Sequence, residues 1–312
     1  GLEIGTLGGY ILASLLASGL FIGLSDAQMQ AWGWRIPFIL GAPLGLVGLY
    51  LRRHLDETPI FENDISENDE KPEPFISIIQ NHKKDIIVCF IAVAFFNITN
   101  YMLLSYMPSY LDEVIGISTT VSTILITSVM VIMVPLAFIF GRLSDKIGNK
   151  KVVLFGTFGL TAFSMLGFYF IGLNQLMFIS LGIFILGFFL STYEGAMPSL
   201  LPSIFYTDVR YRTLAVTFNV SVSIFGGTTP LVSTWLVHVT QNPLAPAYYL
   251  TAVSVIGFVT ILFLFETTSG KALKGSYPTV SSKKDYEHVV KNPEDALWWT
   301  EQELQKGKVK AD

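Results

Sequence analysis

Charge is what this 312-residue chain has least of. Only 14% of its residues are Asp, Glu, Lys or Arg, where soluble globular domains average about 25%. The mean hydropathy is +0.54. The deficit is uneven: charges gather near 52–85, 142–151, 208–212 and 266–312, and the stretches between are nearly bare. An ordinary soluble domain is excluded by that pattern. Cysteine is almost missing as well. The single Cys89 sits in an apolar run and rules out an internal disulfide. Four scattered histidines, His54, His82, His238 and His288, show no metal-ligand spacing. No glycine-rich phosphate loop is present, which argues against an ATP-driven pump. No Ser/His/Asp grouping or HExxH marks an enzyme. The net charge of −4 carries little, because charge in such a chain is sorted by position.

What the chain does have is long apolar runs. The first covers roughly 4–25 and is rich in Gly, Ala and Ser, which let membrane helices approach closely. Trp32-Gly33-Trp34-Arg35 reads as an interfacial turn. A second run, about 36–51, contains Pro37 and Pro43 and stops at Arg52-Arg53-His54. A long polar stretch follows, with Pro59, Pro72 and Pro74. Six more runs come at roughly 86–110, 118–140, 152–172, 176–201, 213–238 and 246–265, ahead of a hydrophilic tail. Each span needs about 20 apolar residues. The expectation is an all-α polytopic membrane protein with about eight transmembrane helices.

Basic residues sort between the connections. Arg52, Arg53, Lys71, Lys83 and Lys84 lie in the long loop, Arg142, Lys146, Lys150 and Lys151 in the central turn, and Arg210 and Arg212 in the turn near 203–212. The alternate turns hold only Arg35. The positive-inside rule then places the long loop, both basic turns and the C-terminus in the cytoplasm. Residue 1 falls on the same side. It is Gly1 rather than Met and leads straight into an apolar run, so a longer protein beginning upstream is expected.

The segment Gly141-x-Leu143-Ser144-Asp145-Lys146-x-Gly148-x-Lys150-Lys151 reads as a tight turn at a membrane surface, and it resembles the signature loop of the major facilitator superfamily. Asn149 stands where that loop usually has arginine. The resemblance implies a major-facilitator fold lacking spans 1–4. Residues 1–51 would supply the last two spans of the N-terminal six-helix half, 52–85 the cytoplasmic central loop, 86–265 the C-terminal half and 266–312 a cytoplasmic tail. Trp32-Gly33-Trp34-Arg35-Ile36-Pro37-Phe38, Glu57-Thr58-Pro59 and Tyr106-Met107-Pro108-Ser109-Tyr110-Leu111 resemble the metabolite:proton symporter branch. Tyr101–Pro108, Gly195-Ala196-Met197-Pro198, Val209-Arg210-Tyr211, Phe218–Val222 and Pro246–Leu250 resemble its proline/glycine-betaine transporters. Residues 283–312 show no sustained heptads, so no coiled-coil regulation is expected of the tail.

Candidate site residues follow from polarity inside apolar runs. Glu194 is the one acid deep in such a run. Intramembrane acids are costly and tend to face cavities. Glu194 is read as carrying the coupled proton or a substrate's cationic group, against the alternative of a hydrogen-bonded packing residue. Asn97, Asn100 and Tyr101 fall at i, i+3 and i+4 and share a helix face. Amides and an aromatic ring suit a zwitterion, by hydrogen bonds to its carboxylate and cation–π attraction to its ammonium; interhelical hydrogen bonding is the alternative. Through the resemblance, Gly141, Arg142, Asp145 and Gly148 are assigned to a gating latch, with Arg210 as partner or second latch.

The resemblance implies a secondary transporter, not an enzyme. Proton symport of a small zwitterionic solute of the proline/glycine-betaine type is expected, with no cofactor and the proton gradient as driving force. A symporter of an organic acid such as citrate, 2-oxoglutarate or shikimate is the nearest alternative, although no Lys or Arg lies inside an apolar run to meet an anion. A truncated, non-transporting membrane scaffold or sensor is the alternative of another class. Expected partners are the solute, the proton and the lipid bilayer; no metal or nucleic acid is expected. The expected form is a multi-pass monomer in the plasma (inner) membrane.

Overall fold

The computed structural model describes residues 2–54, 83–205 and 207–264. The described chain is helical almost throughout. An apolar medium leaves backbone N–H and C=O groups only each other to bond, and an α-helix satisfies both within one segment. Helix α1 spans Leu2–Gly23. A short helix α2, Asp26–Ala31, is capped by Ser25 and Gln28 in a reciprocal capping box. One 3-10 turn, Gly33–Arg35, then leads into α3, Ile36–His54. Beyond residue 82, α4 covers Lys83–Glu113 and includes a π-helical stretch at Tyr101–Tyr106. Then come α5 (Thr119–Ile147), α6 (Asn149–Gly172) and α7 (Leu176–Leu200). Helix α8 is continuous through Thr207–Ser221, a π-helical turn Val222–Gly226, and Gly227–Thr240. Helix α9 joins Ala245–Val259 to a final π-helical turn, Thr260–Leu264.

Seven of these, α1 and α4 to α9, are long and apolar enough to cross a membrane. The run expected at 36–51 is helical as α3, a 19-residue segment, but is not among the seven. It carries Pro37, Pro43 and three glycines and ends on Arg52-Arg53-His54. The central loop from 55 to 82 and the tail from 265 lie outside the described residues.

The segment 141–151 differs from the expected turn. Helix α5 continues through Ile147 and α6 starts at Asn149, so only Gly148 leaves the helical path. Its φ of +97° is a conformation that favours glycine, and its N–H closes α5 on the Ser144 carbonyl at 2.9 Å. The helices run past the apolar stretch because nothing in Arg142–Lys146 opposes helix once the chain meets water. The change of direction is confined to the one residue that adopts it without strain.

Helix α7 packs on α5 and α6, α9 on α6, and α8 on α4, while α1 lies along α5 and touches α7. At the α5–α7 crossing the backbones almost touch. A Cβ on Gly195 would sit 2.5 Å from the Ala137 carbonyl oxygen and 2.6 Å from the Gly141 nitrogen. The atoms in the way are backbone, so relief requires one helix to move. Gly195→Leu is therefore expected to destabilise the purified protein by about 1–3 kcal/mol or more, as overpacking does. Gly9→Leu, at a position with nothing within 4 Å, serves as the control. A thermal unfolding series in detergent that ranks the two the other way contradicts this packing.

A candidate substrate and proton site where four helices meet

Helix α4 is the most deeply buried of the seven spans. Along its middle, Asn97, Thr99 and Asn100 are all buried polar residues, and they behave differently. Asn97 Nδ2 donates to the Val93 carbonyl at 2.8 Å, and Thr99 Oγ1 to the Phe95 carbonyl at 2.9 Å. Both have turned back onto their own helix, four residues earlier. Asn100 instead reaches across: its Nδ2 donates to Glu194 Oε1 on α7 at 2.7 Å. Glu194 is 2% exposed. An amide donor on a buried carboxyl group is a short, strong contact that compensates part of the cost of removing the group from water.

Tyr101 follows directly and opens the π-helical stretch of α4. Its ring lies against Gly226, where a Cβ would come within 2.8 Å of Cε2. Gly226 closes the π-helical turn of α8, so the ends of two irregular turns meet at this ring. Tyr10 of α1 completes the group, within electrostatic reach of both Tyr101 and the Glu194 carboxyl group. The site therefore draws Tyr10, Asn100, Tyr101, Glu194 and Gly226 from α1, α4, α7 and α8. A single extra residue in a helical turn shifts the face presented beyond it and loosens local carbonyls, and such turns occur often at functional sites.

Of the residues singled out from the sequence, Asn100, Tyr101 and Glu194 come together and Asn97 stays with its own helix. Tyr193 turns away from Glu194. It is fully buried against Phe95 and Phe96, with ring centroids 4.8 and 6.3 Å away, and its hydroxyl has no hydrogen bond among the described residues. Tyr10 and Gly226 escaped the sequence reading. The only available hint for Tyr10 was that it is the one hydroxyl-bearing aromatic in the first apolar run.

The signature segment lies next to this site through its backbone. Gly141 packs on Gly195, the residue after Glu194. Arg142 is exposed and stacks over Phe138, one turn back, with Cζ 4.2 Å from the ring centroid; it forms no ion pair with Asp145, which is also exposed. Gly148 makes the reversal described above. Arg210 falls on α8, and its side chain lies outside the described residues. Among the described residues no cluster of three His, Cys, Asp or Glu offers a metal site.

A bundle of apolar helices around a buried carboxyl group has the form of a multi-pass membrane protein. The family model described as Major Facilitator Superfamily matches residues 2–215 and 89–300, and the chain belongs to that family. A protein of Staphylococcus haemolyticus named "Putative proline/betaine transporter" is 60% identical over 299 residues, covering 96% of this chain and 64% of that protein. The "Glycine betaine/proline/ectoine/pipecolic acid transporter OusA" of Dickeya dadantii is 37% identical over 305 residues, covering 95% and 60%. A crystal structure of a D-xylose-proton symporter is similar with a TM-score of 0.58 at 20% identity, over 85% of this chain and 61% of that one; this likeness shows the fold. The chain spans somewhat less than two thirds of the length of these curated relatives.

The contrast between the two asparagines is testable. Asn100→Leu removes the donor from a buried carboxyl group and is expected to cost about 1–3 kcal/mol. Asn97→Leu removes a donor to a carbonyl already held in its helix and is expected to cost less. Chemical or thermal unfolding of the two variants side by side decides, and a larger loss for Asn97→Leu contradicts the assignment.

Proposed function

We propose that this chain works as the latter two thirds of a proton-coupled secondary transporter for small zwitterionic solutes of the proline and glycine betaine type. The observation that carries the reading is the Asn100–Glu194 hydrogen bond, buried between two apolar helices with Tyr101 and Tyr10 beside it. The printed names of the relatives support the choice of solute.

Glu194 carries the proton. Protonation removes the charge, lowers the cost of burial and lets the carboxyl group donate a hydrogen bond. Asn100 orients the carboxyl group in either state, because an amide presents both a donor and an acceptor. The Tyr101 ring offers a face to a quaternary or secondary ammonium, a contact worth about 0.5–2 kcal/mol. No cofactor enters; the gradient supplies the driving force. The loop, the basic helix ends at Arg142–Lys151 and the tail face the cytoplasm, and Asp145 with Arg142 and Arg210 latches that side as the two halves rock about the site. The transporter acts as a monomer in the plasma membrane. An organic acid fits less well, since every Lys and Arg of the chain lies outside its apolar runs.

The test uses the full-length protein in liposomes with an inward proton gradient. Labelled proline and glycine betaine accumulate, and excess citrate does not compete. Glu194→Gln lowers gradient-driven uptake by about tenfold or more, equivalent to about 1.4 kcal/mol at the rate-limiting step. Unchanged uptake in that variant, or displacement by citrate alone, defeats the reading.

A further inference from the structure

A row of hydroxyl groups leads away from Glu194 along the seam between α1 and α5. On α1, Tyr10, Ser14 and Ser18 follow one another at intervals of four residues, and on α5 Thr119, Thr123 and Thr127 do the same. Such spacing puts each set on one helix face. Ser14 and Thr127 hydrogen-bond through their hydroxyls and join the two rows. Helix α1 touches α7, with Tyr10 within electrostatic reach of Glu194, whose neighbour Gly195 packs on Gly141 of α5, while Ser14 meets α5 at Thr127. The two helices are therefore antiparallel, and Ser18 comes opposite Thr123. At the outer end Thr119 donates to Asp112 Oδ2 at 2.5 Å. Seen as a whole, the row runs from Asp112, at the end of the bundle away from Lys146, Lys150 and Lys151, towards Tyr10, Tyr101 and Glu194.

The bonding in the row leaves hydrogen-bonding capacity for water. Thr123 and Thr127 each give their proton to a carbonyl four residues back, at 2.7 Å, so their oxygen lone pairs remain available as acceptors. Ser18 Oγ has no hydrogen-bond partner among the described residues although Ser18 is only 6% exposed. A buried hydroxyl in that condition, on a polar row, is the kind of position at which a structural water is held. By contrast, the faces of α6 and α7 that meet are filled by phenylalanine and by backbone contact.

We propose that this hydroxyl-lined seam is the route by which a proton passes between the Asp112 end of the bundle and the Glu194 carboxylate. The proposal rests on the reading of Glu194 as the proton carrier. A hydronium at the Asp112 end gives up one proton. Each water in the seam accepts one proton and passes on another, so none is consumed. At Glu194 an O–H bond forms and the carboxylate becomes a carboxylic acid. Release runs the same steps in reverse. Tyr10 and Tyr101 form the inner end, where the seam opens onto the solute site.

The experiment compares two readouts of the full-length protein in liposomes, using labelled proline and glycine betaine. Gradient-driven uptake needs net proton movement; exchange of labelled for unlabelled solute at equal pH does not. The Ser14→Ala, Ser18→Ala double variant and, separately, Thr127→Val are expected to lower gradient-driven uptake by about tenfold and leave exchange close to wild type. Thr127→Ser, which keeps the hydroxyl, restores uptake. A parallel fall of uptake and exchange shows that the seam only holds the helices together, and undiminished uptake in both variants also overturns the route. If Glu194→Gln abolishes gradient-driven uptake while the seam variants do not, the route fails and the proton carrier stands. If the wild-type protein shows no gradient-driven uptake, the carrier reading fails and the route fails with it.

Discussion

A polar group inside this bundle must find its partner in protein, because the surrounding medium has none to give. Most of the hydroxyls meet that constraint locally. Thr157, Ser191, Ser254 and Thr260 each bond the carbonyl four residues earlier in their own helix. A side chain satisfied in this way contributes little to joining helices. Fewer polar contacts cross between helices: Asn100 with Glu194, Ser14 with Thr127, and Ser221 Oγ donating to the Phe90 carbonyl at 3.3 Å are among them. The first two lie on the surfaces that meet around the candidate site.

Two of the three π-helical departures from regular helix among the described residues meet at the same place. The π-helical stretch of α4 begins at Tyr101, and the π-helical turn of α8 ends at Gly226, against the Tyr101 ring. A π-turn is less favourable than the α-helix it interrupts, so its persistence needs compensation from packing. Here the ring fills the space left by the missing Cβ of Gly226. The same extra residue sets the face that α4 presents beyond Asn100. The carboxyl group on α7, the aromatic ring and the two irregular turns are thus linked through neighbouring residues of α4.

Much of the architecture was legible in advance, and for a simple reason. Long apolar runs demand helices, and among the described residues each expected run falls inside a helix to within a residue or two. Their ends were less legible, because α5 continues well past its apolar stretch through Arg142–Lys146, residues that solvate as readily on a helix as in a turn. Gly141 and Gly148 look alike in a string of letters. One admits a neighbouring backbone and the other holds a positive φ, and only the path of α7 separates the two roles. The site shows the same limit. Asn97 and Asn100 are identical amides on one helical face, yet only Asn100 sits level with Glu194. Tyr10 enters from a helix remote in sequence, so no local pattern announces it.

The interfaces divide into two physical kinds, and the division bears on motion. Helices α5, α6 and α7 are joined by backbone contact at Gly141 and Gly195, by Gly167 against Gly182, and by a cluster of Phe155, Phe163, Phe188 and Phe189. Close-packed surfaces of that sort resist sliding, since a displacement of even a methyl group's width produces a clash. Helix α1 meets α5 differently. Its glycines at 5, 8, 9, 19 and 23 have nothing within 4 Å, and its polar joints are single hydroxyl contacts such as Ser14 with Thr127. A contact of that kind between membrane helices is worth about 0.6 kcal/mol on average, little more than thermal energy. It can therefore be broken and remade without unpacking a core. One interface thus holds and one gives, and the carboxyl group of Glu194 lies where the two kinds meet.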